Sequence, residues 1–243
     1  MLSRTLHITK VSLLNNTVPS LQIYNVKLYE IIKSNHLFHI STFPTFLSFR
    51  KLRRIMEELL STEREYVKAL GYIREHYFPE LERADVPQDL RGQRGSIFGN
   101  LEKLHDFHRH HFLNELESSV NEPFRVGRCF LRHENFALYA LYSKNKPQSD
   151  CLLINHGQAF FKQMLGDKMD LCSYLLKPVQ RISKYSLLLH DMMRECGPGQ
   201  TRELAEVKAA LEVIHFQLRH GNNLLAMDAI RQCDVSLFCL TYV

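Results

Sequence analysis

In this chain of 243 residues, the densest group of side chains able to do chemistry is histidine: His105, His108, His110 and His111. On a helix, residues three apart share a face, so His105 with His108, or His108 with His111, would present two ligands to one zinc ion. Tetrahedral zinc needs a third or fourth ligand, and Asp106 points to another side. A solvated or half-buried helix face is the simpler reading, and no metal site is expected. The six cysteines, Cys129, Cys151, Cys172, Cys196, Cys233 and Cys239, stand singly with no CxxC pair. That pattern reads as reduced thiols in a cytoplasmic protein. Cys172 has no histidine close by in sequence and reads as a core cysteine, not a nucleophile. No P-loop, GxGxxG after a strand, GxSxG or HExxH occurs. The chain is therefore not expected to be an enzyme that makes or breaks bonds, and no cofactor is expected.

The remaining candidates are polar residues that interrupt apolar helical runs. Glu63 sits beside the seam between the apolar turns of Leu59 and Tyr66. In Ser173-Tyr174-Leu175-Leu176-Lys177-Pro178-Val179-Gln180-Arg181, the proline removes a backbone N–H and disfavours α geometry at Lys177, so a kink or junction is expected. Further on, the steps through Leu211, Ile214 and Leu218 lead to Asn222, preceded by Gly221. Each has a purely structural reading: a solvated acid, a helix joint, a capping amide.

Helices must carry these residues. With only 10 Gly and 8 Pro, a turn-rich all-β chain is disfavoured. Leu52, Ile55, Leu59, Thr62, Tyr66, Leu70, Ile73 and Tyr77 recur at helical spacing and predict one long helix. Further helices are expected over Ile97 to Val120, Phe124 to Ser143 (ending before Lys144-Asn145-Lys146-Pro147), Cys151 to Gln163, Leu171 to Arg194, and Leu204 to Ile230. The fold class is all-α: an elongated bundle of about six helices with an irregular N-terminal extension.

Residues 1–50 have a different texture, with no glycine and only short β-favouring runs such as Leu21 to Tyr24. They hold Arg4, Lys10, Lys27, Lys33 and Arg50 against Glu30, which accounts for most of the formal charge of +5. The body is nearly balanced and lacks the basic stripe that nucleic-acid binding wants. Membrane contact is expected at most through the basic extension. The most apolar stretch, Leu28 to Phe49, contains Glu30, Lys33, His36 and His39, which argues against a span.

Read in order, the motifs resemble the Dbl-homology (DH, or RhoGEF) domain of Rho guanine nucleotide exchange factors. Glu58-Leu59-Leu60-x-Thr62-Glu63-x-x-Tyr66-Val67-x-x-Leu70 is similar to the first conserved region of that domain. Phe98-Gly99-Asn100-Leu101 with Phe107-His108-x-x-Phe112-Leu113-x-Glu115-Leu116 is similar to the second. Ser173 to Leu189, through Lys177-Pro178-Val179-Gln180-Arg181-Ile182-x-Lys184-Tyr185, is similar to the third. The stretch Tyr139 to Pro147 resembles most the puratrophin-type (pleckstrin homology domain-containing family G) subgroup. The resemblance assigns 51–237 to the DH domain, 1–50 to an unassigned extension and 238–243 to a short tail.

The resemblance implies a guanine nucleotide exchange factor that binds switch I and switch II of a Rho-family small GTPase (Rho, Rac or Cdc type), displaces Mg²⁺ and stabilises the nucleotide-free state. By position, Glu63 would accept hydrogen bonds from switch I, Lys177 would reach switch II, and Asn222 would bond the switch II backbone. Gln180, Arg181 and His190 would complete the GTPase-binding set, with His190 where relatives often carry a basic residue.

The chain departs from the family pattern in having no pleckstrin-homology region after 237 and a short segment over Phe161 to Asp167. These departures motivate an alternative: a truncated, non-catalytic helical scaffold or decoy that binds a GTPase without accelerating exchange.

Overall fold

The computed structural model describes residues 46–165, 169–197 and 199–232. Most of the expected extension, Gly166 and Asp167 of the short segment, and the tail lie outside these residues. The first helix, α1 (Phe46–Tyr72), passes into a π turn over Ile73–Tyr77, so residues 46–50 are helical and belong to α1. Its buried line is Leu52, Met56, Leu59, Glu63, Tyr66, Leu70, Ile73 and Tyr77. These follow alternating steps of four and three, so Glu63 lies in the seam itself; Ile55 and Thr62, expected there, are half-buried at its edge.

The second expected helix is divided. The short α2 (Arg94–Phe98) stops at Gly99, whose φ of +54° favours glycine. Beyond it α3 (Leu101–Phe107), a π turn over His108–Phe112 and α4 (Leu113–Ser118) follow one another. The π turn swings the histidine run round: His108 points inward while His110 and His111 are exposed.

The third expected helix is also broken. A 3₁₀ turn at Pro123–Arg125 leads into α5 (Gly127–Leu131), and a second at Glu134–Ala137 leads into α6 (Leu138–Leu152). No stop occurs at Pro147. Tertiary bonds hold α6 on both sides of that point: Ser149 Oγ donates to the Ile97 carbonyl at 2.5 Å, and Tyr142 OH donates to the Leu175 carbonyl at 2.7 Å. A π turn over Leu153–Gly157 and α7 (Gln158–Leu165) complete this segment.

The long α8 (Leu171–Glu195) is capped by the Asp170 carboxylate, which accepts from Ser173 N at 2.8 Å. It runs through Pro178 as one helical element, and the proline is buried. The expected junction there is absent; Tyr142 supplies a bond to the turn that the proline loosens. The last helix, α9 (Thr201–Gln232), packs against α5, α6 and α8, and α8 packs against α1. No strand occurs among the described residues. The core is rich in aromatic rings, with Phe107, Phe112, Phe130, Phe136, Tyr139 and Tyr185 all fully buried.

Candidate functional site: a buried ion pair beneath an exposed helical face

The seam of α1 carries a carboxylate into the middle of that core. Glu63 is fully buried and Arg181 of α8 nearly so, at 0% and 5% exposure. Glu63 Oε2 accepts from Arg181 Nη2 at 2.6 Å, from Arg181 Nε at 3.0 Å and from Tyr185 OH at 2.6 Å. Glu63 Oε1 lies 2.6 Å from His108 Nδ1. An ionised carboxylate only accepts, so Nδ1 carries the proton there.

The Arg181 guanidinium also donates to the Leu59 carbonyl at 3.1 Å and to Thr62 Oγ1 at 2.7 Å, and it lies 4.4 Å from the Tyr185 ring centroid. On the far side of His108, Nε2 is 2.9 Å from Tyr139 OH, which donates to Tyr66 OH at 3.3 Å. Four segments thus meet on one ion pair: α1, the π turn after α3, α6 and α8.

Burial by itself raises the Glu63 pKa. The His108 and Arg181 charges and the hydrogen bonds from His108 and Tyr185 outweigh it and hold the carboxyl down at about 2. For Arg181, burial disfavours the charge, but Tyr185 and Glu63 more than compensate and its pKa is raised. Burial keeps the hydroxyls of Tyr66, Tyr139 and Tyr185 protonated well above their ordinary range. With the carboxylate and the guanidinium paired to each other, the cluster acts as a clamp on the orientation of α8 relative to α1.

Two of the residues expected to bind the GTPase lie inside the helical body. Glu63 is fully buried, and Arg181 is nearly so, giving only an edge to a surface recess; the two are occupied by one another. They position the helices instead. The other sequence-predicted residues lie outside. Lys177 is half-buried and Gln180 exposed; with Thr62, Glu65, Tyr66, Arg181 and Lys184 they line an open recess of about 290 Å³. At its margin an exposed acid does occur, Glu58, whose Oε1 is 2.5 Å from Lys184 Nζ.

Asn222 is exposed on α9. It lines a second recess of about 260 Å³ with Phe216, Arg219, His220 and Asn223, where the Phe216 and His220 rings stack at 5.6 Å. Ser186 Oγ and His215 Nε2, 2.9 Å apart, tie α8 to α9. His190 is exposed on α8 and lines neither recess. The apolar side chains of Leu176, Leu187 and Phe216 are left 41%, 62% and 53% exposed on these two helices. That is a mixed polar and apolar surface of the kind that receives a protein.

The residues sequence reasoning missed are His108, Tyr139 and Tyr185 inside, and Glu58 and Lys184 outside. The strict four-three spacing of the α1 seam was the signal that Glu63 points inward. Nothing local to the histidine run marked His108 as its partner. Elsewhere in that run, His105 Nδ1 is 2.8 Å from Arg74 Nη1, and burial followed by the Arg74 charge lowers its pKa. Among the described residues no group of three or more His, Cys, Asp or Glu side chains is placed to hold a metal ion.

A family model described as the RhoGEF domain matches residues 55–222. Among curated proteins, the chain is 63% identical over 193 residues to pleckstrin homology domain-containing family G member 4B of Homo sapiens, covering 77% of this chain and 12% of that protein. It is 59% identical over 194 residues to puratrophin-1 of Homo sapiens, covering 78% of this chain and 16% of that protein. The chain therefore spans a small part of the length of these relatives.

Among solved structures, the DH domain of FARP2 matches with a TM-score of 0.58 at 24% identity, over 72% of this chain and 90% of that one. The linker-DH/PH domains of p115-RhoGEF match with a TM-score of 0.62 at 22% identity, over 73% and 58%. These likenesses show the helical fold.

Proposed function

The chain belongs to the RhoGEF domain family, and on that premise we propose that it promotes GDP release from a Rho-family small GTPase in the cytoplasm. It does so by binding the two switch segments through the exposed face of α8 and α9 and stabilising the nucleotide-free state. The observation that carries this reading is the face itself. On the helices that bear the family's motif residues, Lys177, Gln180 and Asn222 stand at two open recesses, with Leu176, Leu187 and Phe216 exposed beside them.

The division of labour follows from burial. Lys177, Gln180 and Asn222 offer an ammonium group and two amides, groups that pair with the carbonyls, amides and carboxylates of an extended peptide. Glu58, exposed beside Lys184, takes the acid's part on the surface, and His190 extends the face along α8. Glu63 and Arg181 hold α1 and α8 in register beneath it. No covalent step is needed. A domain that binds the empty GTPase more tightly than the nucleotide-bound one weakens nucleotide affinity by the same factor. The exposed apolar side chains exclude water around the polar grip and supply affinity. No helix among the described residues is long and apolar enough to cross a membrane.

The test is release of fluorescent GDP from a panel of Rho-family GTPases with residues 1–243 present. Faster release from one or more of them supports the reading. Binding of a GTPase without faster release contradicts exchange and selects a non-catalytic binding role.

A further inference from the structure

Gly221 stands where α9 approaches α6 closely. A Cβ placed there meets Ser143 Cβ at 3.3 Å and Ala140 Cα at 3.5 Å. The first of these is closer than packed side chains ordinarily come. The buried line of α9 runs through Val207, Ala210, Ile214, Gln217 and Gly221, while Asn222, the next residue, faces solvent. Two turns further on, Asp228 Oδ2 pairs with Lys144 Nζ at 3.3 Å, each about one-third exposed. The same stretch of α6 therefore grips α9 twice. Glycine inside a helix weakens it relative to alanine, and here it falls where the neighbouring helix leaves little room for a side chain.

We propose that Gly221 is a positioning residue for the docking face: its missing side chain lets α9 seat on Ala140 and Ser143, and that seat sets where Asn222 stands. The proposal rests on the reading of Asn222 given above. A methyl group at 221 moves the turn that carries Asn222 by a few tenths of an ångström and leaves every group on the face chemically intact. Small displacements of a positioned group cost more at the rate-determining rearrangement than in the encounter.

The experiment is GDP release by residues 1–243, comparing the parent with Gly221→Ala, Asn222→Ala, the double variant G221A/N222A, and G221A/S143G. Ser143→Val, which crowds the same contact from the α6 side, serves as a second perturbation should G221A fold poorly. G221A should lower the maximal release rate about fivefold while changing the half-saturating GTPase concentration less than about twofold. S143G should restore most of the loss. In the N222A background, G221A should change the rate by less than about 1.5-fold, because the group it displaces is gone. A merely structural role would lower the rate by the same factor in both backgrounds, and that result overturns the proposal while leaving the docking face intact. Full activity of G221A, or failure of S143G to restore it, overturns it as well. If N222A itself matches the parent, the reading of Asn222 fails and the proposal falls with it.

Discussion

Arg181 Nη2 lies 2.6 Å from Glu63 Oε2, and both side chains are buried. This pair joins the first helix to the helix that carries Lys177 and Gln180. Removing one partner leaves the other charged and buried, at a cost of about 3–5 kcal/mol. Glu63→Gln and Arg181→Met should each lower the urea midpoint by a corresponding amount. The double variant Glu63→Leu/Arg181→Met should recover part of that loss, because the carboxylate and the guanidinium are removed together. Single variants as stable as the parent would remove the clamp from the account.

The same carboxylate makes stability depend on pH with a definite sign. Its folded pKa, about 2, lies below its ordinary value of 4.5. The contribution is thus complete above pH 5 or so and is lost as pH falls through the range between the two values. The difference corresponds to about 3 kcal/mol. Unfolding free energy measured from pH 7 to pH 3 should fall more steeply in the parent than in Glu63→Gln. Parallel curves would show that other carboxylates dominate acid unfolding.

Gly127 opens α5 against the backbone of α9. A Cβ there meets the carbonyl carbon of Glu206 at 2.7 Å and Val207 N at 2.9 Å. Backbone cannot swing aside as a side-chain end does, so Gly127→Ala should cost about 3 kcal/mol or prevent folding. Thermal melting of the variant beside the parent measures it. A shift within 1–2 °C, on the order of a few tenths of a kcal/mol, would mean that α5 slides freely over α9.

Glu58 and Glu63 are five residues apart on α1 and should behave oppositely. Glu58 is exposed and paired only with Lys184 on the surface, so Glu58→Ala should leave stability within about 0.5 kcal/mol. It should nevertheless slow exchange about tenfold or more if it meets the GTPase. Exchange rate and melting temperature recorded on the same sample separate the two effects. Unchanged exchange would remove Glu58 from the docking face.

Much of the fold was legible in the sequence because apolar spacing reports directly on buried helix faces. The α1 run, the α8 run and the α9 run all emerged from it. The breaks were less legible. Gly99 and the turn at Pro123 ended helices as such residues do, but Pro147 and Pro178 did not, because tertiary bonds from Ser149 and Tyr142 hold the helix on around them. The site divided along the same line. Lys177, Gln180 and Asn222 were proposed from motif resemblance alone, and the fold leaves Lys177 half-buried and the other two exposed. The inward turn of Glu63 was signalled by the spacing of its seam, but its partners His108, Arg181 and Tyr185 are distant in sequence and meet it only in the folded chain. Placing Asn222 on the seam of α9 was off by one residue: the helix turns so that Gly221 is inside.

Whether the face of α8 and α9 drives exchange is decided by fluorescent GDP release from a panel of Rho-family GTPases, with the parent chain beside Lys177→Ala/Gln180→Ala/Asn222→Ala. At least one GTPase should release nucleotide about tenfold faster or more with the parent, and the triple variant, melting at the parent's temperature, should lose most of that acceleration. Release from every GTPase at its intrinsic rate, or a triple variant as active as the parent, would contradict exchange through that face.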